Sequence, residues 1–265
     1  MKNFHFLLPV LLGIAFPCMS QTPNWDSLYK EAAKTEVYSP VPPVVTPGVS
    51  PQDAPSDAII LFNGRNLDAW YGDDSSKIVG WDISDRKLTV NKKMGGLLTK
   101  QKFLDYQLHI EWQIPENISG EGQSRGNSGV WLARTGLNKA GFDEGYHIQI
   151  LDSYNNKTYV NGQAGALYKQ SIPLANACKK PGEWQVYEII WSAPRFTAKG
   201  KLEKPGFVSV LHNGVLVQNH VEVKGITQWI GQPFYTAHGA LPIKLEMHGD
   251  PSEPISFRNI WIRPL

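Results

Sequence analysis

Asp105-Tyr106-Gln107-Leu108-His109-Ile110-Glu111-Trp112-Gln113-Ile114 is the stretch that settles the class of fold. Tyr106, Leu108, Ile110, Trp112 and Ile114 alternate without a break with Gln107, His109, Glu111 and Gln113, so an extended chain here has one apolar and one polar face. Shorter strand signals surround it, broken by Gly, Pro, Asn and Asp. They are Ala58 to Phe62, Trp81 to Ser84, Lys87 to Val90, Ser128 to Arg134, Tyr146 to Leu151, Val186 to Trp191, Phe207 to His212, Val215 to Val221, Ile243 to Met247 and Ser256 to Ile262. No helical period runs far enough to compete, and strands at this spacing predict an all-β sandwich or barrel. Asn213-Gly214, between two alternating runs, predicts a two-residue hairpin turn.

Two further strands repeat the polar face. In Gly145-Tyr146-His147-Ile148-Gln149-Ile150-Leu151-Asp152, His147 and Gln149 share one side, and a β-bulge before Asp152 would turn its carboxylate onto the same side. In Ile243 to His248, Lys244, Glu246 and His248 oppose Ile243, Leu245 and Met247. If these strands neighbour Asp105 to Ile114, then His147, Gln149, Asp152, His109, Glu111, Glu246 and His248 gather on one surface. That surface, if concave, is a cleft.

The glycine-rich loop Gly120 to Gly129 could present Arg125 to a ligand, and it lacks the Gly-Lys-Ser or Gly-Lys-Thr of a phosphate loop. Arg134 follows Val130-Trp131-Leu132 and must exit to solvent or pair with an acid or a ligand oxygen. There is no His-Glu-x-x-His, no zinc-type cysteine pair and no Gly-x-Ser-x-Gly. His147 and His248 with Asp152 or Glu246 could ligate a divalent metal, but scattered ligands are a weak signal, and solvated strand histidines are the commoner fate.

The 265 residues carry 42% hydrophobic and 19% charged residues with a formal charge of +2, ordinary globular material without the basic footprint of a nucleic-acid partner. Nine Trp and ten Tyr among 24 Gly and 19 Pro suit a many-turned β protein, and some of these rings, Trp131 among them, suit the stacking of sugars. Lys2, an apolar run from Phe4 to Phe16, and Cys18-Met19-Ser20 ahead of Gln21 read as an export signal over residues 1–20, too short to span a bilayer. Pro17 before Cys18 departs from the small residue of a lipoprotein signal, which favours a secreted or periplasmic protein without a lipid anchor. Cleavage would leave Cys178 alone, so packing and not a disulfide must hold the fold. Residues 21–57 predict one short helix from Asn24 to Ala33, then a strap through Pro40, Pro42, Pro43, Pro47 and Pro51, anchored by Trp25, Val41, Val44 and Val45; residues 58–265 form the β domain.

A set of short motifs in fixed order carries a family resemblance. Leu61-Phe62-Asn63-Gly64-Arg65-Asn66-Leu67-Asp68-Ala69-Trp70, Gly95-Gly96-Leu97-Leu98-Thr99, Glu111-Trp112, Gly126-Asn127-Ser128-Gly129-Val130-Trp131-Leu132-Ala133-Arg134, Gly145 to Asp152, Gly165-Ala166-Leu167-Tyr168, Gly182-Glu183-Trp184 and Phe257-Arg258-Asn259-Ile260-Trp261-Ile262 resemble the 3-keto-disaccharide hydrolase domain over Ala58 to Leu265. The lead segment is similar to that of secreted members from gut Bacteroidetes.

The resemblance implies a concanavalin A-like jelly roll of two antiparallel sheets with a carbohydrate substrate on the concave face. Retaining glucanases of that fold carry Glu-x-Asp-x-x-Glu where His147, Gln149 and Asp152 stand; one carboxylate remains, and retaining hydrolysis needs two about 5 Å apart. In the family, the position of His147 is often Glu. The implied chemistry is removal of the C2 proton of a 3-keto-glycoside, elimination at C1 and hydration. His147 or Asp152 is the expected base, with Arg134 and His248 or a metal at the developing oxyanion, and Gln149, Glu111 and Tyr168 at hydroxyls or the leaving group. Trp131, Glu246 and Arg125 complete the expected substrate contacts. A non-catalytic lectin-like module and an endo-glucanase using Glu111 or Glu246 are the competing readings.

Overall fold

The computed structural model describes residues 23–73 and 79–265, so the expected export signal and Cys18 lie outside the described residues. Two compact units divide at Val44 and Val45. In the first, Trp25–Ala32 is an α-helix whose N-cap, Asn24, accepts a hydrogen bond from the Ser27 backbone N–H at 3.2 Å. Trp25, Val41 and Val44, expected as anchors, are exposed.

The second unit, Val45–Leu265, begins before the expected boundary at Ala58, because the proline-rich chain from Val45 is bonded into it. Thr46 and Ser56 exchange two hydrogen bonds of 3.0 and 2.9 Å, and the Gln52 carbonyl accepts from Asn259 Nδ2 at 2.9 Å and Trp261 Nε1 at 3.0 Å.

Among the described residues fifteen strands follow in chain order: β1 Ile59–Phe62, β2 Trp70–Gly72, β3 Asp82–Ser84, β4 Lys87–Thr89 and β5 Leu97–Thr99. Then come β6 Tyr106–Gln113, β7 Ser128–Leu137, β8 Asp143–Ile150, β9 Trp184–Ser192 and β10 Arg195–Phe196. The last are β11 Leu202–Lys204, β12 Phe207–His212, β13 Val215–Glu222, β14 Lys244–Leu245 and β15 Ser256–Pro264. All pairings are antiparallel. One sheet of eight strands runs β13-β12-β9-β6-β15-β4-β3 with β1 also on β15, a second of five runs β2-β5-β14-β7-β8, and β10-β11 is a separate ribbon.

The two sheets form a jelly-roll sandwich around one core. Trp112, Ile110 and Tyr187 of the larger sheet share that core with Val130, Leu132, Tyr146 and Ile148 of the smaller. Two phenols stitch the layers: Tyr106 Oη donates to the Leu132 carbonyl and Tyr187 Oη to the Gln149 carbonyl, each at 2.7 Å. Buried tyrosines need such partners, since an unpaired hydroxyl in the core costs about 1–3 kcal/mol.

β6 therefore belongs to the larger sheet, and β8, which bears His147, and β14, which leads into Glu246, to the smaller one. The polar faces expected to share a surface point away from each other, on opposite outer sides of the sandwich. The predicted hairpin is present, with Asn213 and Gly214 at φ +52° and +80° joining β12 to β13.

Candidate active site

β7 and β8 build the floor of a cleft on the outer face of the smaller sheet. Their register sets Trp131 opposite His147 and Gly129 opposite Gln149, while Val130, Leu132, Tyr146 and Ile148 face the core. Glu246 and His248 enter from the segment just after β14, where Ser128 Oγ donates to the Glu246 carbonyl at 2.7 Å. The cleft has a volume of about 830 Å³, in the range of small-molecule sites. Trp131, His147, Gln149, Tyr168, Glu246 and His248 all line it, six of the ten residues given catalytic or substrate-contact roles from the sequence.

At its centre His147 Nε2 lies 3.1 Å from Glu246 Oε2. Trp131 packs on the imidazole at 4.6 Å between ring centroids, Tyr168 meets it edge-on at 5.5 Å, and Nδ1 is buried without a partner. The ring lies directly over Gly129: a Cβ there would sit 1.7 Å from His147 Nε2, so this position must be glycine for the imidazole to reach Glu246. Burial pushes the Glu246 carboxyl up, but His147, His248 and Lys244 outweigh it and hold the group below its usual range. With Glu246 ionised, Nε2 carries the proton and donates.

Beside this pair runs a second polar chain. Gln149 Nε2 donates to Asn127 Oδ1 at 2.7 Å, Asn127 Nδ2 donates to the Gln123 carbonyl at 2.8 Å and approaches His248 Nε2 at 3.4 Å. Asp250, not singled out in the sequence, stands behind His248 at 3.1 Å from Nδ1 and is itself held by Lys92 and Ser252. Burial lowers the His248 imidazole, yet the Asp250 hydrogen bond and the charges of Glu246 and Asp250 raise it overall, favouring the protonated donor. Burial and the Tyr159 hydroxyl 2.5 Å away push the Tyr168 phenol well above its ordinary value, so it remains a proton donor.

The other four expected residues do not line the cleft. Asp152 does not turn beside Gln149 through a bulge, because β8 ends at Ile150; its buried carboxylate accepts from Arg125 Nε at 2.6 Å and the Tyr154 N–H at 3.1 Å. That ion pair also commits Arg125, whose Nη1 donates to the Ile118 carbonyl at 2.9 Å. Arg134 Nε donates to Asp143 Oδ1 at 3.0 Å, and Asp143 is shared with Lys244, which also binds Asp73. Glu111 lies on the opposite outer face, where Arg258 Nε at 2.6 Å and Asn259 Nδ2 at 2.8 Å hold it.

The rim carries aromatic residues that no periodicity in the sequence marked. Trp229, Phe142 and Tyr159 are exposed on loops around the cleft. For a divalent metal, the cleft brings together His147, Glu246 and His248, but no group of three or more His, Cys, Asp or Glu side chains among the described residues is arranged to hold an ion. Of the two acids considered as a ligand beside His147 and His248, Asp152 is turned to Arg125, and Glu246 stays with them in the cleft. No helix among the described residues is long and apolar enough to cross a membrane.

Comparison with known proteins agrees with this architecture. A protein from Parabacteroides distasonis, a candidate glycosyl hydrolase of solved structure, is 56% identical, with 88% of this chain and 96% of that chain covered at a TM-score of 0.80. Two more candidate glycosyl hydrolases from the same organism, 19% and 24% identical with TM-scores of 0.57 and 0.55, cover 79% and 78% of this chain and 94% and 99% of their own, and share the fold. No protein with a curated functional description matches the chain. Residues 57–263 match the profile of the 3-keto-alpha-glucoside-1,2-lyase-like domain, and the chain belongs to that glycosyl-hydrolase-like family.

Proposed function

We propose that the cleft breaks the glycosidic bond of 3-keto-glycosides by elimination followed by hydration, and that the protein does so after export. The observation that carries this reading is the Glu246–His147 pair, a carboxylate held by an imidazole at the centre of a glycoside-sized cleft with no second free carboxylate among the described residues that line it. Asp143, the other lining carboxylate, is paired with Arg134 and Lys244. A retaining glucanase needs two carboxyl groups about 5 Å apart in complementary states. An elimination needs one base and donors for the enolate.

A C3 ketone acidifies the C2 proton. Glu246 takes that proton, because both nitrogens of His147 are withdrawn from the cleft: Nε2 faces Glu246 and Nδ1 is buried. The C2–H electrons pass onto the C3 oxygen as an enolate and return to form C1=C2 as the C1–O bond breaks, and the leaving oxygen receives a proton from Tyr168. His248 imidazolium donates to the oxygen at C3 as it gains charge, and one pre-aimed donor of this kind is worth about 3 kcal/mol. Water adding across C1=C2, its proton going to C2 and its hydroxyl to C1, completes a net hydrolysis, and the proton on Glu246 passes through solvent to Tyr168 to restore both groups. In this reading His147 orients the carboxylate, Asn127 and the Gln149 amide oxygen are assigned to sugar hydroxyls, and Trp131 supports the imidazole.

The test is incubation of the protein with a 3-keto-glucoside and with its unoxidised parent, each with and without EDTA, following aglycone release. Release from the keto sugar alone supports the reading, and the EDTA arm reports whether a metal assists. Release from the parent would replace it with conventional glycosidase chemistry, and binding without release from either would place the protein among lectin-like modules.

A further inference from the structure

The cleft is divided between a polar and an apolar end. Gln123, Asn127, Gln149 and His248 form the hydrogen-bonded chain at one end, with His147 and Glu246 at the centre. At the other end Phe142 and Trp229 meet edge to face at 5.5 Å, and both remain exposed, at 51% and 58%, beside Ile230 at 76%. Large apolar side chains left open together around a pocket mark a ligand surface and not a fold requirement.

Both loops are fixed to the elements that carry the chemistry. Thr227 N–H donates to the Gly145 carbonyl at 2.6 Å and Thr227 Oγ1 accepts from the His147 N–H at 3.2 Å, which ties the Trp229 loop to β8. Lys169 Nζ, next to Tyr168, donates to the Trp229 carbonyl at 2.7 Å. Asn138 Oδ1 accepts from the Ala140 and Phe142 N–H groups at 2.9 and 3.0 Å and shapes the turn that lifts Phe142. The polar side chains at this end are partly spent: Asn138 Oδ1 on those two bonds, Gln228 Nε2 on the Thr227 carbonyl at 3.1 Å, and Asp143 on Arg134 and Lys244. A second sugar would gain few directed partners here and keep its hydroxyls in water, whereas an apolar ring gains by leaving water.

We infer that the Phe142–Trp229–Ile230 end is an aglycone subsite that selects an apolar, ring-bearing leaving group over a second sugar. The inference rests on the proposed reading of the cleft and extends it to substrate class. The keto sugar occupies the polar end, and the departing alcohol stacks on Trp229.

Three substrates with alkoxide leaving groups test this: methyl, 2-phenylethyl and disaccharide 3-keto-glucosides. The expected result is a kcat/KM for the 2-phenylethyl compound about tenfold above that of the disaccharide, the scale of one aromatic contact. Trp229→Ala removes that advantage and Trp229→Phe retains most of it, while turnover of the methyl compound changes less than about twofold in both, which also shows that the variants fold. If the methyl compound is turned over but the disaccharide is preferred, or Trp229→Ala lowers both larger substrates equally, the subsite assignment is overturned. If no 3-keto-glucoside is turned over by the unaltered protein, the reading of the cleft fails with it.

Discussion

The two outer faces of the sandwich carry nearly the same side chains and differ in how their charges are closed. On the smaller sheet His147 packs on Trp131 and bonds Glu246; on the larger, His109 stacks on Trp261 at 5.0 Å and 3° and bonds Glu188. Around His109 every charge has a protein partner: Glu111 is held by Arg258 and Asn259, Arg258 lies 4.0 Å over Trp184, and the Gln52 carbonyl caps Asn259 and Trp261. His109 itself is fully buried. Burial would raise the Glu111 carboxyl, but His109, Asn259 and Arg258 bring it down to about 2. Around His147 the carboxylate and the nearby donors open onto the cleft. The acid is not the more exposed one at the cleft, since the Glu188 side chain is 26% exposed and borders a cavity of its own against 18% for Glu246; the faces differ in the aromatic rings and the donors that surround each pair.

The widest separation between the faces is expected in catalysis. Glu246→Gln should lower kcat/KM on a 3-keto-glucoside by ~10²–10⁴-fold, the ordinary worth of a general base, whereas Glu111→Gln should change it less than about twofold. Equal losses in the two variants would collapse the distinction. Gly129→Ala sharpens it without removing a polar group, because the added methyl must displace the His147 ring. A misplacement of about 1 Å can cost ~10²-fold, so steady-state kinetics should show a loss approaching that of His147→Ala, with the circular dichroism spectrum unchanged.

A smaller effect is expected in the pH profile. With Glu246 held below 4.5 and His248 raised above 6.5, kcat/KM should fall on the acid side only below the usual glutamate range and on the alkaline side only above the usual histidine range. Asp250→Asn removes the carboxylate charge that helps raise His248 and weakens the hydrogen bond to it, and should move the alkaline limb downward, leaving the acid limb in place.

The smallest effect belongs to the closed face and is structural. Glu111→Gln should cost about 1–3 kcal/mol in denaturant unfolding at pH 7. A carboxyl lowered from 4.5 to about 2 contributes stability that is complete above 4.5 and lost as pH falls toward 2, so the gap from the unaltered protein should close across that window. A gap independent of pH would mean that Glu111 acts through packing and not charge.

Much of the fold could be read from residue order. Phe207–His212, with its alternating burial, and the Asn213-Gly214 turn lie where alternation and turn chemistry placed them. Leu97–Thr99 was missed because all three residues are buried and show no alternation, and Trp70–Gly72 is too short to carry a period. Ile243 to Met247 yields only two paired residues, Lys244 and Leu245, the chain leaving the sheet to deliver Glu246 and His248 to the cleft. The polar face of β6 was legible but its sheet was not, since strand adjacency is a long-range choice on which local alternation is silent. Asp250 and Trp229 lie on loops, where no periodicity marks a functional side chain.

Deuterium incorporation tests the elimination most directly. A 3-keto-glucoside is converted in deuterium oxide and the released 3-keto sugar is read by NMR at C2 at early time, against a no-enzyme control for spontaneous exchange. The account predicts one deuterium at C2 for each aglycone released by the unaltered protein, and loss of both release and enzymatic labelling in Glu246→Gln. Aglycone release with hydrogen retained at C2 would contradict it.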